Sequence, residues 1–255
     1  MKNDRFVLNK EIIKKNFSKS AASYDQFADL QRQMMGKVFS LVNKEYPAIL
    51  DLGCGTGALV GMLADKYPAS RIVGIDFAPG MIEYAKSIIS YPNVSFTVED
   101  AEKLSFKGDE FDLVVSSAAL QWMDYKAGIK EAARVLKPGG KFVFATFGPK
   151  TLQELRKIGL SVNDFPTQNE LEEILGMYFK NISLQTKVVM HKYSTVFDLF
   201  RYLKAIGARY HSSSLDKGLL TRRRLLSLLP FANNNIEVSY EILYSVCELA
   251  VPLVS

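Results

Sequence analysis

The stretch ILDLGCGTGAL, residues 49–59, constrains this chain more than any other part of it. An apolar run ends at Asp51 and then meets Gly53, Gly55 and Gly57 within five residues. A buried strand that turns this sharply into a helix leaves backbone exposed to a ligand at the strand's carboxyl end. Gly53, Gly55 and Ala58 satisfy G-x-G-x-x-A, and Asp76 stands 23 residues beyond Gly53, which first suggests a dinucleotide fold. A ligand-free turn accounts for the glycines but not for the spaced acid.

The surrounding pattern repeats strand and helix. Residues 48–52, 71–76, 94–98, 111–116 and 141–147 are short β-rich runs, separated by helical patterns over 57–66, 79–90 and 125–136. Pro79 suits a first helical position, and LKPGG reads as a terminator. FDLVVSS and KFVFATF are apolar at consecutive positions, as strands covered on both faces must be, so the sheet is expected to be parallel and doubly wound. Upstream, a helix over 25–43 aligns Phe27, Leu30, Met34, Val38 and Leu41. Downstream, Thr167 with Glu170 forms a capping box, 182–193 reads as a strand, and Thr195 with Asp198 starts a helix carrying Val196, Leu199, Phe200, Leu203 and Ile206 inward. Another helix near 221–229 precedes a terminal strand, IEVSYEILYSVCELA.

The expected fold is therefore α/β: a doubly wound, mostly parallel seven-stranded sheet with N-terminal helices and a helical insert before the last strand. Its parts are a helical cap (1–45), a ligand-binding core (46–193), a basic insert (194–235) and a terminal strand (236–255). A length of 255 residues at 48% hydrophobic composition fits one main core. The first residues lack the apolar stretch of a signal peptide or membrane span, so a cytoplasmic protein is expected. Cys54 and Cys247 have no metal-ligand spacing and are expected to be reduced, with no metal bound.

Asp51 separates the candidate ligands. A carboxylate just before the turn would repel a pyrophosphate, but it suits a ligand with an ammonium group and no phosphate. S-adenosylmethionine has that property.

The residues DLGCGTG, VGID, VEDAEKL, FDLVVSSAALQW and EAARVLKPGGKFVFATF, in this order, resemble the class I S-adenosylmethionine-dependent methyltransferases, which have a Rossmann-like fold. The resemblance implies that Gly53, Gly55 and Gly57 approach the methionine part of the cofactor, that Asp51 holds its ammonium through water, and that Asp76 accepts both ribose hydroxyls. Asp100 and Ala101 would meet the adenine edge and Ser117 the methionine moiety, with Phe77, Met81 and Gln31 also cofactor-binding.

A narrower resemblance lies in NFSKSAASYDQFADLQRQMM, LQWM, YLKAIGAR and LLTRRRLLSL, which look like the malonyl-acyl-carrier-protein O-methyltransferases of biotin synthesis. It implies methyl transfer to the free carboxylate of a malonyl thioester. Such a carboxylate, with a pKa of about 4, is ionised at neutral pH and requires no general base. His191 and His211 lie outside every motif, in keeping with this. Tyr24, Gln121 and Trp122 are the candidate catalytic residues, Tyr24 being placed just ahead of the N-terminal helix and Gln31 on its apolar face, where it needs a partner. Phe147, ending the fifth strand, is a candidate acceptor contact.

Charge is uneven. Residues 187–235 hold nine lysines and arginines against two aspartates. Arg201, Lys204, Arg209, Arg222 and Arg223 are candidates for docking an acidic acyl-carrier protein. A nucleic-acid partner would need a recognition motif that is absent, and no membrane partner is expected; the oligomeric state is open, with a monomer expected. Two alternatives remain: another small-molecule methyltransferase, of the aconitate carboxyl or quinone carbon type, and a non-catalytic S-adenosylmethionine-binding protein.

Overall fold

A computed structural model describes residues 10–157, 162–206 and 235–250. Two helices, α1 (Lys10–Phe27) and α2 (Asp29–Leu41), precede β1 (Ala48–Leu52), α3 (Ala58–Lys66), β2 (Arg71–Asp76), α4 (Pro79–Ile88), β3 (Val94–Val98) and β4 (Phe111–Ser117). There follow a 3₁₀ turn (Leu120–Trp122), α5 (Tyr125–Val135), β5 (Leu136–Phe147), α6 (Gln153–Lys157), α7 (Gln168–Gly176), β6 (Phe179–Tyr193), α8 (Val196–Ala205) and β7 (Ile236–Leu249). The strands form one seven-stranded sheet in the order β3-β2-β1-β4-β5-β7-β6. The first five are parallel, whereas β7 runs antiparallel to both β5 and β6.

Consecutive apolar strand residues go to opposite faces of the sheet. Ile49, Ile72, Leu113 and Val143 pack with Leu30, Met34 and Val38 of α2, Leu63 of α3 and Leu199 of α8. Their neighbours Leu50, Val73, Val114 and Phe142 pack instead with Ile129 and Ala132 of α5 and Leu171 and Leu175 of α7. This explains why FDLVVSS carries no alternation: both faces of β4 are covered.

The expected helix over 25–43 is two helices. The chain breaks at Ala28, which leaves helical geometry at ψ 36°, and residues 25–27 close α1. The Arg32 guanidinium bridges the break, donating to the Asp25 carbonyl and to the Asp29 carboxylate. Tyr24 consequently lies inside α1 rather than ahead of the first helix. Helix α1 places Ile13, Phe17 and Ala21, spaced by four, against Ala78 and Met81. Burial of Phe17 or Ile13 contributes about 1.5–3 kcal/mol each. The contact with α4 is backbone-close: a β-carbon on Gly80 would stand 2.4 Å from the Ser18 carbonyl oxygen, so no other residue fits there.

LKPGG does more than stop α5. It is the bulged start of β5, where pairing with β4 jumps from Phe111–Leu136 to Leu113–Lys141 and Gly139 takes φ +77°. The helix expected from 57 begins at Ala58, because Gly57 is left-handed at φ +84°. The strand expected from 182 starts at Phe179. The Thr167–Glu170 capping box is present on both sides. Of the insert over 194–235, α8 is described, with Tyr202 buried on its inner face and Phe200 only partly covered. The helix expected near 221–229 lies outside the described residues.

Candidate functional site

The glycine turn after β1 and the turn after β4 meet at the carboxyl end of the sheet. Gly53, Gly55 and Gly57 all have positive φ. A β-carbon on Gly53 would come within 2.3 Å of the Ala119 β-carbon, so the two turns touch only because residue 53 has no side chain. Ala118 also takes positive φ, 54°, a conformation unfavourable for a residue with a β-carbon, and its amide donates to the Ala145 carbonyl at 2.9 Å. Thr56 donates to Asp25 at 3.0 Å and so ties the glycine turn to α1.

Asp76 ends β2 and is buried. Its Oδ2 accepts from the Gly55 amide at 3.1 Å and its Oδ1 from the Ala78 amide at 2.8 Å, which leaves each oxygen a further lone pair. Burial pushes its pKa up to about 6, with those two amides acting against the rise. Asp51 is more confined. Burial, reinforced by Asp76, raises its pKa to about 8, and its Oδ2 has no hydrogen-bond partner among the described residues. Ser117 Oγ, in the same wall, is likewise buried and unpartnered. A buried carboxylate and hydroxyl left unsatisfied beside three left-handed glycines suit a cationic, hydroxyl-bearing ligand such as S-adenosylmethionine.

Above this turn lies a cleft of about 620 Å³, bounded by Gly53, Gly55, Asp76, Phe77, Met81, Asp100, Ala101, Ser117 and Trp122. These positions were all candidates from sequence, and the fold brings them together. Gly57 is set behind the turn, facing the Phe96 ring and Ala85. Asp51 and Gln31 line an adjoining recess with Gly53 and Ser117.

The helical cap expected over 1–45 covers the cleft through two residues that were not among the candidates, Lys10 and Phe17 of α1. Phe17 meets Trp122 edge-on at 5.3 Å and packs near Phe77 and Tyr24. Lys10 joins Asp100 and Glu102 at 2.7 Å each, tying α1 to the Asp100 side of the cleft. The signal was available in Ile13, Phe17, Ala21 and Tyr24, which recur at helical spacing between the lysines.

A second cavity, about 610 Å³ and mainly apolar, shares Tyr24, Ala118 and Trp122 with the first. Phe147, Phe165, Leu203 and Ile206 supply its apolar wall, and Gln31, Gln121, Asn163 and Tyr240 its polar groups. Tyr24, on the shared wall, has its phenol pKa raised by burial and then by Asp76 and Asp25, so it stays protonated and available as a donor. The Gln121 amide is engaged at both ends, donating to the Ala118 carbonyl at 2.6 Å and accepting from Thr146 at 3.5 Å, which makes it a brace of the left-handed turn. Gln31 has found its partner in Tyr202, whose hydroxyl donates to it at 3.3 Å.

The candidate docking residues are split. Arg201 and Lys204 are exposed on α8, Arg201 paired with Asp198 at 2.9 Å; Arg209, Arg222 and Arg223, with His211, lie outside the described residues. His191 is packed among Tyr193, Tyr202 and Tyr240 and lines neither cavity, although its neighbour Tyr240 lines the second. Cys54 and Cys247 are buried free thiols, and no metal-binding cluster occurs among the described residues. No described helix is long and apolar enough to cross a membrane.

Comparison with known proteins agrees with this geometry. Residues 49–140 match a family described as a methyltransferase domain. The chain is 32% identical to a malonyl-[acyl-carrier protein] O-methyltransferase of Priestia megaterium over 93% of its own length and 97% of the relative's. It is 33% identical to that of Hahella chejuensis, covering 87% and 82%. A chain from the complex between the Haloferax volcanii Trm112 methyltransferase activator and a methyltransferase superimposes with a TM-score of 0.62 at 20% identity, over 93% of this chain and 97% of that one. The last likeness concerns the fold.

Proposed function

The chain belongs to the malonyl-[acyl-carrier protein] O-methyltransferase family, and on that premise we propose that it methylates the free carboxylate of a malonyl thioester presented by an acyl-carrier protein, using S-adenosylmethionine. The observation that carries the proposal is the meeting of two cavities at Tyr24, Ala118 and Trp122: one is lined by the buried Asp76 and adjoins the recess holding the unpartnered Asp51 carboxyl, the other is apolar with a few neutral polar groups.

When bound, S-adenosylmethionine supplies an electrophilic methyl on a sulfonium centre. Asp51 and Ser117 take its amino-acid end, and Asp76 the ribose, through the lone pairs that Gly55 and Ala78 leave free. Asp100 and Ala101 flank the adenine, with Lys10 latching α1 over them. The acceptor carboxylate enters ionised, so the protein's work is alignment and exclusion of water. Trp122 and Phe17 close the shared opening, Tyr24 donates a hydrogen bond there, and Phe147 and Phe165 line the acyl passage. Gln121 contributes indirectly by holding Ala118. The exposed Arg201 and Lys204 of α8 supply positive charge that would guide the approach of an acidic carrier.

The test compares kcat/KM for malonyl carrier protein, a short malonyl thioester and free acids such as aconitate. The carrier-bound substrate should be preferred by at least tenfold over the short thioester. Equal or better turnover of aconitate would favour the small-acid reading.

A further inference from the structure

Gln31 stands on the wall common to the apolar cavity and the recess beside Asp51. It is buried, and Tyr202 from α8 donates its hydroxyl hydrogen to Gln31 Oε1 at 3.3 Å. Tyr202 is in turn packed on Tyr193, their ring centres 5.4 Å apart, and the Tyr193 and Tyr240 hydroxyls lie 3.1 Å from each other. With its oxygen taken by the Tyr202 hydroxyl, the Gln31 amide has its NH₂ group turned away from Tyr202. No acceptor among the described residues takes those two N–H groups.

We propose that Tyr202 is a positioning residue that fixes the Gln31 amide with its NH₂ toward the acceptor carboxylate, making Gln31 a selector for an acidic acceptor rather than a cofactor contact. The inference rests on the apolar cavity being the acceptor site. An N–H donor bonds an anionic oxygen about twice as strongly as a neutral one, so the same group that favours the carboxylate holds its neutral ester less well. The arrangement also links α8, the start of the basic insert, to α2 across the site.

The test uses an inert malonyl-pantetheine analogue, with a methylene in place of the thioester sulfur and its carboxylate free. Its binding is measured by calorimetry in the presence of S-adenosylhomocysteine, alongside steady-state kinetics. Tyr202→Phe should weaken the analogue about five- to tenfold and raise KM more than it lowers kcat, the size of one lost neutral hydrogen bond. In a Gln31→Leu background the same change should have almost no further effect. Gln31→Glu keeps an acceptor for Tyr202 but loses the N–H donors, and should weaken the analogue more than tenfold. S-adenosylhomocysteine affinity should stay within about twofold in every variant. An equal effect of Tyr202→Phe in both backgrounds, or wild-type binding by Gln31→Glu, overturns the assignment. If the wild-type protein itself fails to bind the analogue, the acceptor-site reading falls and the assignment falls with it.

Discussion

Cofactor binding should release protons, and Asp51 is the reason. In the free protein its pKa is raised to about 8 by burial and by Asp76, so at pH 7 about nine in ten molecules carry it protonated. A bound ammonium group favours the ionised form, and the proton must leave. If the complex returns Asp51 to a pKa of about 4, linkage makes binding about fiftyfold tighter at pH 8 than at pH 6. The ligand's own amine, with a pKa of about 7.7–8.0, loses charge over the same range and reduces the expected gain to roughly twentyfold. Asp76, raised to about 6, adds a smaller increment of the same sign. Isothermal calorimetry in buffers of different ionisation enthalpy reads both quantities: the dissociation constant against pH and the protons released per ligand. The expectation is a little under one proton released at pH 7, with the release abolished in Asp51→Asn. A dissociation constant unchanged from pH 6 to 8, with no buffer dependence, would refute the placement of the cation on Asp51.

The same carboxylate should destabilise the empty protein. Because the fold raises its pKa above the unfolded value near 3.9, stability falls as pH rises from about 4 to about 8 and then levels off. Asp51→Asn should therefore gain in Tm over wild type progressively across that window by differential scanning calorimetry, and parallel curves would contradict this. Asp76→Ala should weaken S-adenosylmethionine by roughly 1.5–3 kcal/mol, about 13- to 160-fold, in a titration; unchanged affinity, or tight NAD binding by the wild type, would count against the ribose assignment. Arg201→Glu with Lys204→Glu should lower kcat/KM for the malonyl carrier protein at low salt and flatten its ionic-strength dependence, since charges are screened beyond about 8 Å at 0.15 M. Turnover of the short thioester should be unaltered, and an unaltered carrier rate at low salt would remove these two residues from the docking face. His191→Ala should keep most activity, and a fall of more than about a hundredfold in the folded variant would reveal a general base.

The sheet domain was legible because its constraints are local. Glycines that need positive φ, strands apolar on both faces, and caps such as Thr167–Glu170 are written within a few residues of one another. The gathering of Asp51, Asp76, Asp100 and Ser117 was legible too, since all stand at or just beyond strand ends that a parallel sheet brings to one edge. The break at Ala28 was not legible, because no proline or glycine marks it and the Arg32 bridge that spans it depends on three-dimensional geometry. Tyr202 was passed over for a similar reason. Its partner Gln31 is 171 residues away, and a tyrosine between Arg201 and Lys204 reads as part of a solvated face until the strand behind it is known. The strand start at Leu136 was hidden by Pro138 and two glycines, which signal a stop unless a bulge absorbs them.

The central claim is tested most directly by where the methyl goes. Malonyl carrier protein is incubated with the enzyme and S-adenosylmethionine bearing a deuterated methyl, and the acyl group is analysed by mass spectrometry before and after mild alkaline hydrolysis. The account predicts one labelled methyl per acyl group, lost on hydrolysis as methanol, which identifies a carboxyl ester. A label that survives hydrolysis on carbon, or no label on the carrier while a free acid is methylated, would contradict it.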